Sequence, residues 1–295
     1  MKQGRHLSTA QRFRAARGFT LVELVMVIVI TGVIAASLVT FFKPALDSYL
    51  DTSRRAGLTD MADTAVRRIA RELRIAVPNS LRIANNQCFE FLPSSAGGRF
   101  RSAADTVNSG SAALDITQAV TQFDVLSPLA TLPAAGDWVV INNQNTDDVY
   151  AGTNRAAIVS VTTPDPLLGQ YRLRIASTQF PSGYDNARFL VVANNAGNPV
   201  VSYVCAGADG SLDAQGDGKG SLYRVTAPFV AAYPTACAAT AGAALLASKV
   251  ASCNFVYDPN HGATQQSGFV WMQISLTQAN ETVALSFGAH VDNVP

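Results

Sequence analysis

The chain has 295 residues, of which 48% are hydrophobic and 15% are charged, so it is long enough for one or two globular domains with a sizeable core. Its net charge of +1 conceals an asymmetry: five cations and no acid in residues 1–18, a balance of +3 over 43–82 and a balance of −6 over 83–295. Because the basic residues are not concentrated in the large C-terminal part, the composition argues against a nucleic-acid-binding protein.

An uncharged apolar run of 19 residues extends from Leu24 to Phe42. As a helix it would be about 28 Å long, close to the thickness of the hydrocarbon core of a membrane. The basic residues before it predict a single crossing, with the N-terminus in the cytoplasm and the bulk of the chain outside. A secretory signal peptide cut near "VIAASL" is the alternative. Because the apolar pattern continues past that stretch, we expect a cut before the run instead.

The residues at the start of the run, "RGFTLVE" (17–23), resemble the prepilin peptidase site of type IV pilins and of type II secretion pseudopilins. In that family the leader is removed after the glycine, the new N-terminal residue is N-methylated, and the fifth mature residue is glutamate. The resemblance implies a leader of residues 1–18, cleavage between Gly18 and Phe19, methylation of Phe19 and an assembly role for Glu23. It also implies three partners: prepilin peptidase, the inner membrane, and other pilin subunits bound through their N-terminal helices.

The position of Glu23 has a physical rationale. It lies four residues after Phe19, on the same face of a helix, and near the helix end where an acid is favoured. A carboxylate at the bilayer centre costs about 2.5–3.5 kcal/mol. An amine roughly 4 Å away would offset about 4 kcal/mol at an effective dielectric constant near 20. The resemblance supplies such an amine, the N-terminus of Phe19 in the same or a neighbouring subunit. A carboxylate that snorkels to the membrane surface is the alternative.

Helical periodicity continues beyond the apolar run. Apolar residues recur at steps of three and four as far as Leu73, and Pro78 is expected to end the helix. We therefore predict a transmembrane half, 19–42, and an amphipathic half, 43–77, with a bend near Pro44. The run "RRIARELR" is interpreted as a solvated helix face with ion pairs four residues apart, and not as a nucleic-acid or lipid site.

Residues 78–295 are predicted to form a periplasmic or extracellular β-rich globular domain. Within it, 94–134 is rich in Ser, Ala, Gly and Thr with little periodicity, so we expect a loosely structured insertion there. Two alternating segments near the C-terminus predict a hairpin with a five-residue link, 277–281. The predicted fold class is α+β and pilin-like: a long N-terminal helix, membrane-spanning in its first half, packed on an antiparallel β-sheet domain. The strand candidates are 88–92, 137–142, 157–161, 171–175, 188–193, 201–205, 221–225, 253–257, 269–276 and 282–287.

Four cysteines follow the apolar run, on the side of the membrane where disulfides persist. Cys88, Cys205, Cys237 and Cys253 allow three connectivities, and sequence does not choose among them. A bridge between Cys237 and Cys253 would staple the short alanine-rich segment that they enclose. A metal site is the rival interpretation, but no CxxC pair is present.

The sequence does not favour catalysis, a cofactor or a metal. His6 would leave with the leader, His261 and His290 are isolated in the sequence, and no GxSxG or HExxH motif occurs. The stretch "ADGSLDAQGDGKG" (208–220) spaces three aspartates four residues apart, which could hold calcium. Because this spacing differs from that of an EF-hand loop, a solvated turn is the preferred interpretation.

A second resemblance lies further along the chain. The stretch "RRIARELRIAVPNSLRI" (67–83), with "SCNFVYDP" (252–259) and "VDNVP" (291–295), is similar to minor pilins of the mannose-sensitive haemagglutinin (MSHA) pilus. It implies a low-copy subunit that takes part in pilus biogenesis, priming assembly or sitting at the tip. It also implies a single-pass inner-membrane protein whose large domain is periplasmic before it reaches the cell surface. The alternatives are a J-type minor pseudopilin of type II secretion and a membrane-tethered periplasmic binding protein.

Overall fold

A computed structural model describes residues 18–183, 187–261 and 267–293. The expected leader therefore lies outside the described residues, except for Gly18. The chain divides into two compact units, Met1–Ser53 and Arg54–Pro295, and helix α1 contributes residues to both. In chain order the elements are α1 (Leu21–Leu73), β1 (Arg82–Asn85), β2 (Cys88–Phe91), β3 (Ala96–Arg99), β4 (Val120–Val125), β5 (Trp138–Val140), α2 (Asp148–Ala151), β6 (Arg155–Thr162), β7 (Tyr171–Thr178), β8 (Arg188–Val192), a short 3-10 helix (Asn195–Gly197), β9 (Val200–Ala206), β10 (Gly220–Ala227), β11 (Ala244–His261), β12 (Ser267–Gln278) and β13 (Glu281–Asp292).

In the first unit, α1 carries the apolar run. By length and composition it is long and apolar enough to cross a membrane, and it is the one such helix in the part of the chain that the structure describes. Its large apolar side chains from Leu21 to Leu50 are exposed. Pro44 lies inside the helix, as the sequence indicates.

In the second unit, the C-terminal half of α1 packs on a seven-stranded antiparallel sheet of order β1-β2-β9-β10-β11-β12-β13. The buried helix residues recur at steps of three and four, which places them on one face. They face the inward side chains of the sheet, for example Val270, Met272 and Ile274 on β12. The predicted α+β fold, with a helix packed on antiparallel strands, is confirmed. The buried helix residues are Leu58, Ala62, Ala65, Val66, Ile69, Ala70 and Leu73.

The helix ends at Leu73, four residues before the end predicted from Pro78. The backbone of the next residues pairs with a neighbouring segment instead of continuing the helix. Val77 N–H donates to the Leu92 carbonyl (2.7 Å), and Ser94 N–H donates to the Ile75 carbonyl (2.7 Å). The last carbonyls of the helix are satisfied by the turn that follows, because Glu72 accepts from Ile75 N–H (3.3 Å) and Leu73 accepts from Ala76 N–H (3.1 Å).

A second, six-stranded sheet of order β3-β8-β5-β6-β7-β4 is built from residues 96–192 and has a core of its own. The expectation of a loosely structured insertion over 94–134 is wrong, because β3 and β4 both lie there. Phe123 and Val125 on β4 are fully buried. Their signal is weak in the sequence because Gln122 and Asp124 interrupt the apolar pattern of β4 and Ala- and Ser-rich segments flank it.

All ten predicted strand segments coincide with observed strands, and within the described residues the strands that the sequence missed are β1, β3 and β4. The C-terminal hairpin, β12–β13, is confirmed, but its turn is tighter than the predicted five-residue link. Gln278 pairs with Glu281, so the turn consists of Ala279 and Asn280, which have φ of 50° and 64°. Such left-handed angles at both positions are typical of a type I′ turn.

Candidate functional site

The expected processing site lies just before α1. Gly18, Phe19 and Thr20 are exposed and non-helical, and the Phe19 side chain is 81% exposed. Thr20 Oγ1 accepts a hydrogen bond from Glu23 N–H (3.2 Å), so Thr20 is the N-cap of the helix and Glu23 is its third residue. The sequence reasoning missed this role. The signal was present in "TLVE", which has the Thr-x-x-Glu spacing of a capping box before an apolar run.

Glu23 lies in the first turn of α1, where the helix dipole favours an acidic side chain. It is exposed, and within the described residues its carboxylate has no ion-pair partner. No other residue from Gly18 to Phe42 carries a charged side chain. The arrangement therefore offers one acidic group on an otherwise neutral apolar surface, next to the peptide bond between Gly18 and Phe19.

The polar hydroxyls of the apolar run are satisfied within the helix itself. Thr31 Oγ1 donates to the Val27 carbonyl (2.6 Å), and Ser37 Oγ donates to the Val33 carbonyl (2.8 Å). Thr40 bonds back in the same way. In lipid, where water cannot satisfy these groups, such bonds remove the cost of carrying hydroxyls.

Ion pairs fasten the other half of α1 to the sheet within the second unit. Arg224 Nε on β10 donates to both carboxylate oxygens of Glu72, at 2.9 and 3.1 Å, and Arg55 donates to Glu281 at 2.6 Å. On the helix surface Arg67 pairs with Asp63 at 2.6 Å. The interpretation of "RRIARELR" as a solvated, ion-paired face agrees with these contacts.

The four cysteines form two disulfides, Cys88–Cys237 and Cys205–Cys253. The suggested staple between Cys237 and Cys253 is therefore wrong. Cys205 on β9 and Cys253 on β11 lie in the main core, and they join two strands that have β10 between them. Cys88 on β2 is bound to the segment that links β10 to β11. Local spacing could not reveal these pairs because both depend on strand order.

The acidic stretch 208–220 forms turns. Asp209 Oδ1 accepts from Ser211 Oγ and N–H, and these hydrogen bonds lower the pKa of Asp209. Asp213 Oδ1 accepts from two backbone N–H groups, and Lys249 pairs with Asp217 at 2.9 Å, which lowers the pKa of Asp217. In the parts of the chain described, no group of three or more His, Cys, Asp or Glu side chains is placed to hold a metal ion.

His261 and His290 are not isolated in space, as they are in the sequence. Their rings lie 5.9 Å apart, and the Phe269 ring packs against both, at 4.7 Å from His261 and 5.0 Å from His290. Strand β12 brings them together because it lies between β11 and β13. Asp258 Oδ2 lies 3.3 Å from His261 Nδ1, but among the described residues no group of three such side chains is placed to hold a metal ion.

Comparison with known proteins identifies one family model. Residues 13–39 match the prokaryotic N-terminal methylation motif, a segment that contains Gly18, Phe19, Glu23 and most of the apolar run. No curated protein and no solved structure matches the chain. The match covers a small part of the chain, and it identifies the segment around Gly18 as a prepilin-type N-terminus.

Proposed function

We propose that this type IV pilin-like chain is a minor pilin of the MSHA type, resembling MshO, that takes part in pilus biogenesis by priming assembly or by sitting at the tip. The observation that carries the proposal is the unpaired Glu23 carboxylate. It lies on an exposed apolar helix, within the matched prepilin-type N-terminal motif and five residues after Gly18.

Processing comes first in this proposal. Prepilin peptidase hydrolyses the peptide bond between Gly18 and Phe19, and the freed amine of Phe19 is then methylated. The exposure of Gly18, Phe19 and Thr20 outside the helix supports this step, because a peptidase needs an accessible, extended backbone. The product carries a cationic amine four residues before Glu23.

Assembly then pairs opposite charges inside the membrane. The amine of one subunit would neutralise Glu23 of its neighbour, which would offset about 4 kcal/mol at a separation of roughly 4 Å. The exposed apolar surface from Leu21 to Leu50 would be covered by lipid before assembly and by neighbouring helices after it. The charge pair would set the register of those helices.

The size of the globular part supports a minor subunit. It holds two sheets on one half-helix, more than the single small domain that repeats along a pilus shaft would need. The MSHA-like stretches at 67–83 and near the C-terminus support the pilus over the secretion alternative. Two disulfides suit a domain exported from the cytoplasm, in keeping with a single-pass inner-membrane protein that is periplasmic before assembly.

The test is to replace Glu23→Gln and Glu23→Ala in the native host and to count surface pili. We expect pili to fall at least tenfold in both variants while the protein still inserts in the membrane. Asp47→Asn, which removes an exposed carboxylate further along the same helix, is the matched control and should leave piliation unchanged. Mass spectrometry of the parent protein should find a mature chain that starts at methylated Phe19.

Two outcomes would overturn the proposal. Normal piliation in both Glu23 variants would remove the assembly role of the carboxylate. If the chain is not cut after Gly18, the apolar run is only a membrane anchor. Deleting the protein separates the pilus from the secretion alternative, because pili are lost in the first case and secreted enzymes stay in the cell in the second.

A further inference from the structure

A cleft of about 530 Å³ opens in the second unit, apart from the processing motif. Its walls are the residues that follow α1 and the paired strands β3 and β8. This volume lies within the range of sites that bind small organic ligands.

Positive charge is concentrated on the lining of the cleft. Arg99 on β3 and Arg188 on β8 are direct partners in the antiparallel ladder, so their side chains leave the same face of the sheet. Arg74, just after the end of α1, lines the cleft as well. One carboxylate, Asp292, lies among the lining residues.

Two of these guanidinium groups have no protein acceptor. Within the described ranges, the side chains of Arg74 and Arg99 make no hydrogen bond and no ion pair. The carbonyl of Ile75, which also lines the cleft, is already occupied, because it accepts from both Ser94 N–H and Ser94 Oγ, each at 2.7 Å. The arginines are therefore not needed to satisfy this carbonyl.

Apolar side chains also contribute to the lining of the cleft, and close packing holds them in place. Phe189 and Leu190 on β8 and Ile75 contribute hydrocarbon surface. Gly98 on β3 lies so close to its neighbours that a Cβ there would be 2.6 Å from Ser127 Oγ and 3.1 Å from the Phe189 ring. A glycine in a strand interior often marks such a close approach.

Buried hydrogen bonds fix the floor of the cleft. Asn143 is 2% exposed, and its Nδ2 donates to the Pro78 carbonyl at 2.6 Å. Its Oδ1 accepts from Val149 N–H and from Asn154 Nδ2. Residues of the chain after α1 are thereby tied to the loop after β5, so the cleft is formed before any ligand arrives.

We propose that this cleft binds a small organic carboxylate. Its carboxylate would lie against Arg99, because a planar guanidinium can donate two parallel hydrogen bonds to a carboxylate. The apolar lining would contact the body of the ligand, which an inorganic anion lacks. The proposal does not depend on the assembly role of Glu23.

The test uses the full chain in detergent micelles and isothermal titration calorimetry. Sodium glucuronate is the probe, glucose is the neutral analogue of similar size, and sodium sulfate is the inorganic anion. We expect glucuronate to bind at least tenfold more tightly than glucose or sulfate, and more weakly as salt is raised, because salt screens exposed charges.

Variants locate the site. Arg99→Gln should weaken glucuronate binding at least tenfold, and Arg99→Glu should abolish it. The melting temperature should be unchanged in Arg99→Gln, because within the described residues the Arg99 side chain makes no hydrogen bond or ion pair that the replacement removes. Arg174→Gln removes an exposed arginine from another strand of the same sheet and should bind as the parent does.

Equal binding of glucose, or no binding of glucuronate, would overturn the proposal. Sulfate binding as tight as that of glucuronate would overturn its organic-acid part and leave a general oxyanion site. Unchanged glucuronate binding in Arg99→Gln would show that any site lies elsewhere.

Discussion

Arg82 shows how a single side chain holds the second unit together. It is 1% exposed, its Nε donates to Glu90 Oε1 at 2.8 Å, and its guanidinium carbon lies 3.4 Å from the centre of the Tyr150 ring. Its other N–H groups reach backbone carbonyls of the segment after β10, including that of Val230 at 3.0 Å. A buried charge with this many partners joins β1, β2, α2 and a distant loop.

Arg82→Met should therefore destabilise the protein by about 3 kcal/mol, because removing one partner leaves the half-buried carboxylate of Glu90 without its cation. Urea denaturation of the full chain in detergent, followed by tyrosine and tryptophan fluorescence, measures the change. The double replacement Arg82→Met with Glu90→Leu is the control, and it should recover part of the loss. A single variant as stable as the parent would contradict the prediction.

Tyr150 links stability to alkaline pH. Burial raises its pKa well above the usual 10.0, and its hydroxyl donates to the Ser80 carbonyl at 2.7 Å. Below pH 10 both folded and unfolded states keep the proton, so the full contribution to stability is present. Above pH 10 the unfolded state ionises first, and the free energy of unfolding should fall by up to about 1.4 kcal/mol per pH unit for this group.

Tyr150→Phe should make that alkaline decline shallower, with the free energy of unfolding measured from pH 8 to 11. Some decline should remain, because burial also raises the pKa of Tyr203 and of Tyr257. Equal slopes in the parent and in Tyr150→Phe would show that Tyr150 ionises alike in both states.

At the scale of elements, sequence predicts what is local. A few consecutive residues are enough to identify the apolar run, the helix periodicity and the alternation in β12 and β13. Strand β3 ("AGGR") has no β-branched or aromatic residue, and β1 ("RIAN") has only one, so neither carries a strand signal. Their strand conformation comes from their partners, β8 and β2.

The candidate site divides in the same way. Gly18, Phe19 and Glu23 lie within six residues of each other, and the motif could be identified without a structure. Disulfide partners, the Arg99–Arg188 pair and the contact of His261 with His290 depend on which strands become neighbours. Because strand order is a property of the whole sheet, the spacing of these residues along the chain does not predict it.

At the scale of elements, the two disulfides are predicted to contribute a large part of the free energy of unfolding. Loop-closure entropy assigns roughly 5 kcal/mol to the Cys88–Cys237 bridge, which closes a separation of 149 residues, and roughly 4 kcal/mol to Cys205–Cys253, which closes 48. Replacing each pair with alanine should lower the free energy of unfolding by about 2–5 kcal/mol. Urea denaturation measures the loss, and non-reducing peptide mapping checks the connectivity. A peptide map that shows Cys237 bound to Cys253 would contradict the disulfide pairing described above.

At the scale of the whole molecule, the residues before and after Ser53 suit different surroundings: lipid for the first unit and water for the second. Residues 54–295 contain the buried half of α1 and both sheets, whereas the preceding part of α1 presents its apolar side chains outward. We therefore expect the fragment 54–295 to fold as a soluble, oxidised monomer, while the full chain needs detergent. Light scattering after size-exclusion chromatography measures this difference.

A shorter fragment, 78–295, is the matched control. It lacks the helix residues that cover the seven-stranded sheet, so it exposes the core face and should aggregate. The opposite result would contradict this prediction. If 54–295 aggregates but the full chain, with residues 1–53, is soluble without detergent, the apolar half of α1 is part of the folded core.

The Cys88–Cys237 bond also decides how the molecule carries tension. If the chain is pulled between its N-terminal helix and its C-terminus, the load passes from Cys88 to Cys237 through the sulfur atoms. The polypeptide between them, including all of the six-stranded sheet, lies off the load path. That shielded length would otherwise release roughly 500 Å of slack when extended. With the bond closed, a stretched chain lengthens only through the residues before Cys88 and after Cys237, and reducing the bond adds the shielded length to it.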